Sequence, residues 1–87
     1  MDYFVYILYS TSFKRTYSGQ TDNLDNRLVY HNKMKVRSTK AYVPWVMIYS
    51  EKFNSRAEAM KREKWFKSSA GRKFINKILQ DYLKSNS

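Results

Sequence analysis

Seven consecutive residues, Tyr3-Phe4-Val5-Tyr6-Ile7-Leu8-Tyr9, run without a polar interruption near the start of the chain. A half-exposed strand alternates apolar with polar side chains, and this run does not alternate. Rich in β-formers, it reads as a buried central strand that needs cover on both faces. The chain has 87 residues, enough for one domain. A domain of that size buries only about 60–65% of the surface its unfolded chain would expose. It therefore has one modest core and no room for a deep enclosed pocket. Five Phe, eight Tyr and two Trp supply much of that core.

The rest of the chain supplies the partners. Ser10-Thr11-Ser12-Phe13 is a polar turn with an aromatic tip, and Lys14 to Gln20 returns as a second strand. Gly19 marks a place where the backbone turns or is closely approached. Thr21 or Asp22 is placed to cap a helix to about Asn32. Residues 33–44 carry Lys33, Lys35, Arg37 and Lys40 without periodicity, and read as an exposed basic loop closed by Pro44. Trp45 to Ser50 is a third strand. Ser55, with Glu58 three residues on, forms a capping box for a helix to about Ser68. After a Ser-Ser-Ala-Gly break, Phe74, Ile75, Ile78, Leu79 and Tyr82 recur at helical spacing as a core stripe. The order β-β-α-β-α-α predicts an α+β domain over residues 1–84, a three-stranded antiparallel sheet flanked by helices, with residues 85–87 as a tail.

Composition narrows the chemistry. No cysteine is present, which excludes disulfides, thiolate metal sites and a cysteine nucleophile. A single His cannot build a multi-histidine metal site. Any metal must be held by carboxylate and water oxygens, which favours Mg2+ or Mn2+. No signal peptide or membrane span is visible, so a cytoplasmic location is the default and a membrane partner is not expected. The formal charge is +10, and residues 33–87 hold all of the excess. Such a field attracts polyanions, with nucleic acid or an anionic membrane as the usual candidates, although a solubilising surface would look the same.

Few side chains stand out as chemical. Arg27 and His31 are four apart on the first helix and share a face. Arg offers a donor fork suited to phosphate, and His exchanges protons near neutrality. Either is more often a solvated or bystander residue. Glu63 interrupts an apolar stripe of Ala59, Met60 and Phe66. Burying a carboxylate whose partner is missing costs about 3–5 kcal/mol, so a metal ion, Arg27 or Lys67 should meet it. The plain alternative is a Glu63–Lys67 helix pair worth about 0.3–0.5 kcal/mol. Tyr6 and Tyr17 lie on the two strands of the hairpin. A phenol titrates near 10 and acts as a base only beside cations. Two tyrosines on a hairpin are otherwise packing.

Phe4-Val5-Tyr6, then Tyr17-Ser18-Gly19, then Gln20-Thr21-Asp22-Asn23-Leu24 with Arg27 and His31, resemble the GIY-YIG nuclease superfamily. Ala57 through Arg62-Glu63 to Lys67 resembles the part that carries its metal-binding glutamate. The likeness spans residues 3 to about 80 and is nearest to small single-domain bacterial members. Phe4 stands where the motif has Gly, and Ser18 where an aliphatic residue is usual. Both tyrosines are kept. The resemblance implies that Tyr6 and Tyr17 are the motif tyrosines and that one helps activate water. It implies that Arg27 contacts the scissile phosphate, that His31 assists proton transfer, and that Glu63 is the single protein ligand of a divalent cation. Some members use an Asn after the glutamate, and Asn76 is the nearest candidate here.

The expected function is metal-dependent hydrolysis of phosphodiesters, with DNA ahead of RNA as substrate and Lys33, Lys35, Arg37 and Lys40 as backbone contacts. Many family members carry a second domain that selects the target, so a separate protein is a possible source of selectivity. The alternative is a non-catalytic basic nucleic-acid-binding module. A protein-interaction role leaves the charge of +10 without a purpose.

Overall fold

The unbroken apolar run is the middle strand. A computed structural model describes residues 1–86, in which β1 (Tyr3–Ser10) lies between β2 (Arg15–Thr21) and β3 (Trp45–Phe53). Both pairings are antiparallel, with Tyr6 opposite Gly19 on β2 and opposite Ser50 on β3. Three helices complete the domain: α1 (Leu24–Asn32), α2 (Arg56–Phe66) and α3 (Ser69–Ser85). The fold is α+β in the order read from the sequence.

The alternation of β1 divides the interior into two cores. Val5 and Ile7 pack with Ala59, Phe66 and Ile75 beneath α2 and α3. Tyr6 and Leu8 pack with Trp45, and against Tyr17, Leu24, Leu28 and Met47, on the side of α1. One extra residue on β3 adapts it to both cores. The pairing shifts between Ile7 and Leu8, whose partners are Tyr49 and Met47. Met47 thereby joins the α1 side, while Ile48 and Tyr49 both join the α2–α3 side.

Several boundaries differ from the sequence reading, each for a local reason. The cap of α1 is Asn23, whose side chain accepts from the Asn26 amide at 3.1 Å, not Thr21 or Asp22. Thr21 still pairs with Phe4 at the end of β2, so the chain cannot turn earlier, and its hydroxyl instead accepts from the Asn23 amide. β3 continues past Ser50 because Glu51, Lys52 and Phe53 pair with Val5, Phe4 and Tyr3. The polar look of Glu51 hides its neutralisation. Arg62 grips it through Nε at 2.8 Å and Nη2 at 2.9 Å, and the Tyr49 hydroxyl donates to it. Ser55 caps α2 with Glu58 as expected. The Ser-Ser-Ala-Gly stretch is the cap and first turn of α3, with Ser68 accepting from the Gly71 amide. Helix α3 runs to Ser85 with Asn86 as its C-cap, so those two residues of the expected tail belong to the helix. Ser87 lies outside the described residues.

The basic loop is only half as free as the sequence suggested. A 3-10 turn occupies Lys40–Tyr42, and Thr39 is fully buried. Asn32 clamps the loop's far end, accepting from the Trp45 amide at 2.6 Å and donating to the Trp45 carbonyl at 3.0 Å. Ser10 donates to the Tyr42 carbonyl at 2.6 Å, and Phe13 from the hairpin tip meets the Tyr42 ring. Lys33, Lys35, Arg37 and Lys40 remain exposed on this anchored frame.

Candidate active site

The site begins where Tyr6 crosses Gly19. A Cβ at Gly19 would stand 2.6 Å from the Tyr6 hydroxyl oxygen, so only glycine lets the phenol lie across β2. That is the close approach the sequence implied. Two helical side chains one turn apart converge on this hydroxyl. Arg27 reaches it through Nε at 3.3 Å and His31 through Nε2 at 2.9 Å. The ring of Tyr17 lies 5.1 Å from His31 and 6.4 Å from Tyr6. Tyr6, Tyr17, Arg27 and His31 thus form one cluster on the α1 side of the sheet.

The protons in this cluster follow from the donors. Arg27 Nε can only donate, so the Tyr6 oxygen accepts there. The single Tyr6 proton is then directed to His31 Nε2, which must be unprotonated. Neutral His31 carries its proton on Nδ1 and donates it to Thr39 Oγ1 at 2.8 Å. Thr39 Oγ1 in turn points at the Val36 carbonyl at 3.4 Å, and the Thr39 carbonyl accepts from Trp45 Nε1 at 2.9 Å. Among the described residues no buried side-chain nitrogen or oxygen lacks a partner.

The electrostatics agree with that assignment. Burial first, then the Arg27 charge, push the His31 imidazole down to about 4, so it is neutral at physiological pH. Burial raises the Tyr6 phenol above its ordinary value, against the opposing hydrogen bond from Arg27. Tyr6 therefore keeps its proton. Arg27 is anchored through Nε alone, and among the described residues its terminal nitrogens carry no hydrogen bond. It borders two open clefts. One of about 250 Å³ includes Tyr3, Gln20, Asp22 and Arg56, and one of about 290 Å³ includes Asn23, Asn26 and Tyr30.

Glu63 approaches from the other layer. Helix α2 covers the opposite face of the sheet and contacts β2 as well as β1. The Glu63 charge is nevertheless felt at Tyr6, where it helps raise the phenol. Its local surroundings differ from the expected stripe. Met60 is 52% exposed and contributes nothing to the core, leaving Ala59 and Phe66 as the buried neighbours. The partner of Glu63 is Lys67, Nζ to Oε2 at 3.0 Å. Asn76 is exposed on α3.

The domain matches the family described as the GIY-YIG catalytic domain across residues 2–77. The chain belongs to the GIY-YIG family. Relatives within it include the UPF0213 protein YsiG of Lactococcus lactis subsp. lactis, 40% identical over 72 residues, covering 82% of this chain and 68% of the relative. An archaeal relative, UPF0213 protein NP_0776A of Natronomonas pharaonis, is 32% identical over 68 residues, 77% of this chain and 79% of its own. The solution NMR structure of UPF0213 protein BH0048 from Bacillus halodurans superposes with a TM-score of 0.54 at 27% identity, covering 90% of this chain and 85% of that one. Membership suggests a nuclease-type function.

Three residues around the site escaped the sequence reading. Thr39 sits in a stretch without periodicity, and nothing in its spacing marks it as the partner of His31. Asn32 was legible only as a helix end. Arg56 was hidden as the first residue after a cap, although a basic residue at a position where acidic ones are favoured is a faint signal. No described helix is long and apolar enough to cross a membrane.

Proposed function

We propose that the protein is a divalent-cation-dependent nuclease that hydrolyses phosphodiester bonds, in DNA ahead of RNA. The observation that carries this reading is the grip on Arg27. Tyr6 meets the guanidinium at Nε, which leaves the two terminal nitrogens without a hydrogen bond among the described residues, on a side chain that lines two open clefts and has the fork geometry suited to phosphate oxygens. A guanidinium oriented before substrate arrives stabilises the charge that develops on the phosphate at no cost in reorganisation.

The tyrosines then take different tasks. Tyr6 is fully buried and keeps its proton, which suits an anchor for Arg27 and not a base. Tyr17 is half-exposed beside it and is the phenol available to orient the attacking water. His31, neutral with its proton held on Nδ1, accepts from Tyr6 and fixes that hydroxyl. It assists from behind the phenol, out of contact with solvent.

Among the described residues no three His, Asp or Glu side chains gather as a ready metal cage. A magnesium-type ion needs no such cage, because one carboxylate, water and substrate phosphate suffice. Glu63 fits that part: among the described residues one of its oxygens carries no hydrogen bond, and the other is held only by Lys67, whose side chain is 62% exposed. When bound there, a cation supplies charge neutralisation on the phosphate and on the leaving oxygen. Asp81 and the other carboxylates offer no competing cluster.

The same Glu63–Lys67 pair supports a second reading, a basic module that binds nucleic acid without cutting it. One experiment separates them. Labelled single-stranded, duplex and branched DNA and RNA are incubated with magnesium, manganese or chelator. The nuclease reading expects cleavage that chelator abolishes and Glu63→Gln eliminates, with binding kept. Binding without cleavage under every metal would leave the module. Absence of both would remove nucleic acid from the account.

A further inference from the structure

The cleft of about 250 Å³ on one side of Arg27 has a second arginine in its wall. We propose that this cleft, between the start of α1 and the start of α2, is a two-arginine phosphate subsite in which Arg56 holds the phosphodiester next to the one at Arg27. The proposal rests on the reading of Arg27 as the residue that grips the scissile phosphate.

Both guanidinium groups are held from behind. Arg27 hangs from the Tyr6 hydroxyl by Nε. Arg56 lies 5.3 Å from the centre of the Tyr3 ring, and Tyr3 is itself a wall of the cleft. A guanidinium in a cation–π contact keeps its N–H donors for a ligand. Among the described residues neither arginine has a carboxylate within ion-pair distance, although Asp22 lines the same cleft. Two cations thus share one small cavity with one acidic side chain that neutralises neither by contact. Gln20 and Thr21 complete a polar lining suited to phosphate oxygens. By its chemistry the ligand is a phosphodiester: small, singly anionic and rich in acceptors. Because Arg27 and Arg56 line the same cleft, a nucleic-acid strand held at Arg27 has Arg56 as its next cation.

The subsite is tested by NMR of the arginine Nε–H groups in the intact protein, without divalent metal so that nothing is cut. Inorganic phosphate and then a short oligothymidylate are titrated in. The Nε–H signals of Arg27 and Arg56 should move together along one saturating curve. Arg56 is exposed at the first turn of α2, and circular dichroism checks that its variants stay folded. Arg56→Ala should weaken oligonucleotide binding by about tenfold and lower the slope of log affinity against log salt by about one. Arg56→Lys should keep the slope and lose part of the affinity, and Asp22→Asn should tighten binding. An Arg56 signal that stays still while Arg27 moves, or an Arg56→Ala variant with unchanged affinity and slope, overturns the subsite and leaves the nuclease reading intact. Saturation at Arg56 by phosphate in a protein that cuts no nucleic acid supports the subsite and removes the nuclease. If neither signal moves, both fall.

Discussion

Acid should unfold this protein through His31 before it reaches the carboxylates. In the folded state the imidazole is fully buried and is pushed down to about 4, first by burial and then by the Arg27 charge. In the unfolded chain it titrates at its ordinary 6.5. Between those values the unfolded state binds more protons than the folded state. Stability is therefore complete above the unfolded value and is lost as pH falls toward the folded one. The linkage amounts to about 2 kcal/mol between pH 8 and pH 5, and levels off near about 3 kcal/mol below pH 4. For a domain of this size the loss at pH 5 corresponds to a melting temperature lowered by about 8–16 °C. Urea unfolding at pH 8, 6 and 5, followed by the fluorescence of Trp45 and Trp65, should give falling midpoints at constant m-value. His31→Gln removes the titration, so its stability, although lower, should be flat over the same range. Glu51 does not confuse the result. Burial works against its charged form, but Arg62 and Tyr49 hold the carboxyl below its usual range, so its contribution is lost only at lower pH. Equal wild-type midpoints at pH 8 and pH 5, or an equal slope in His31→Gln, would refute the buried neutral imidazole.

Three further outcomes follow from the geometry. Gly71→Ala should destabilise by about 1–3 kcal/mol although alanine is the better helix former, because its Cβ would overlap the Trp65 carbonyl and the Phe66 Cα; thermal unfolding gives the sign. Tyr17→Phe should slow cleavage by about 10² or more with substrate affinity kept, whereas Tyr6→Phe should also weaken binding, since it releases Arg27 Nε; steady-state kinetics on the two variants separate the roles. Replacing Lys33, Lys35, Arg37 and Lys40 together with Ala should lower the salt slope of nucleic-acid binding by as much as about four, read from affinities at several salt concentrations.

The sequence carried the architecture because its signals were local. A short apolar run without alternation, rich in β-formers, reads as a covered strand, a Ser-x-x-Glu pattern announces a helix start, and an apolar stripe at helical spacing announces α3. Tyr6, Arg27 and His31 converge as their spacing on a hairpin and one helix face allowed. What the sequence could not carry depended on long-range partners. The third strand was read to Ser50, and its continuation through Glu51 depends on Arg62, eleven residues away, which neutralises that carboxylate. Thr39 looked like part of a solvated loop, and its burial follows from hydrogen bonds to His31 and Trp45 that no periodicity encodes. Met60 looked like core because helical spacing fixes a face only approximately, and α2 rolls enough to turn it to solvent.

Tyr6 belongs to two structures at once, and this sets how the site can be taken apart. Its ring packs with Leu8 and Trp45 in the core beneath α1, while its hydroxyl joins Arg27 to His31. The hydroxyl that meets the guanidinium is therefore held by the core itself, which is the kind of support preorganisation requires. The chain of hydrogen bonds continues through Thr39 into the anchored basic loop, so the loop that carries four cations and Arg27 share one buried connection. Truncating Tyr6 to alanine would open a cavity costing about 3–5 kcal/mol and free Arg27 in the same step. Loss of activity in that variant would say nothing about chemistry. Phenylalanine fills the same space and removes only the oxygen, leaving His31 Nε2 without its donor and Arg27 Nε without its anchor. The difference between the wild type and Tyr6→Phe isolates the hydroxyl, and with it whatever holding Arg27 still contributes to the proposed cleavage.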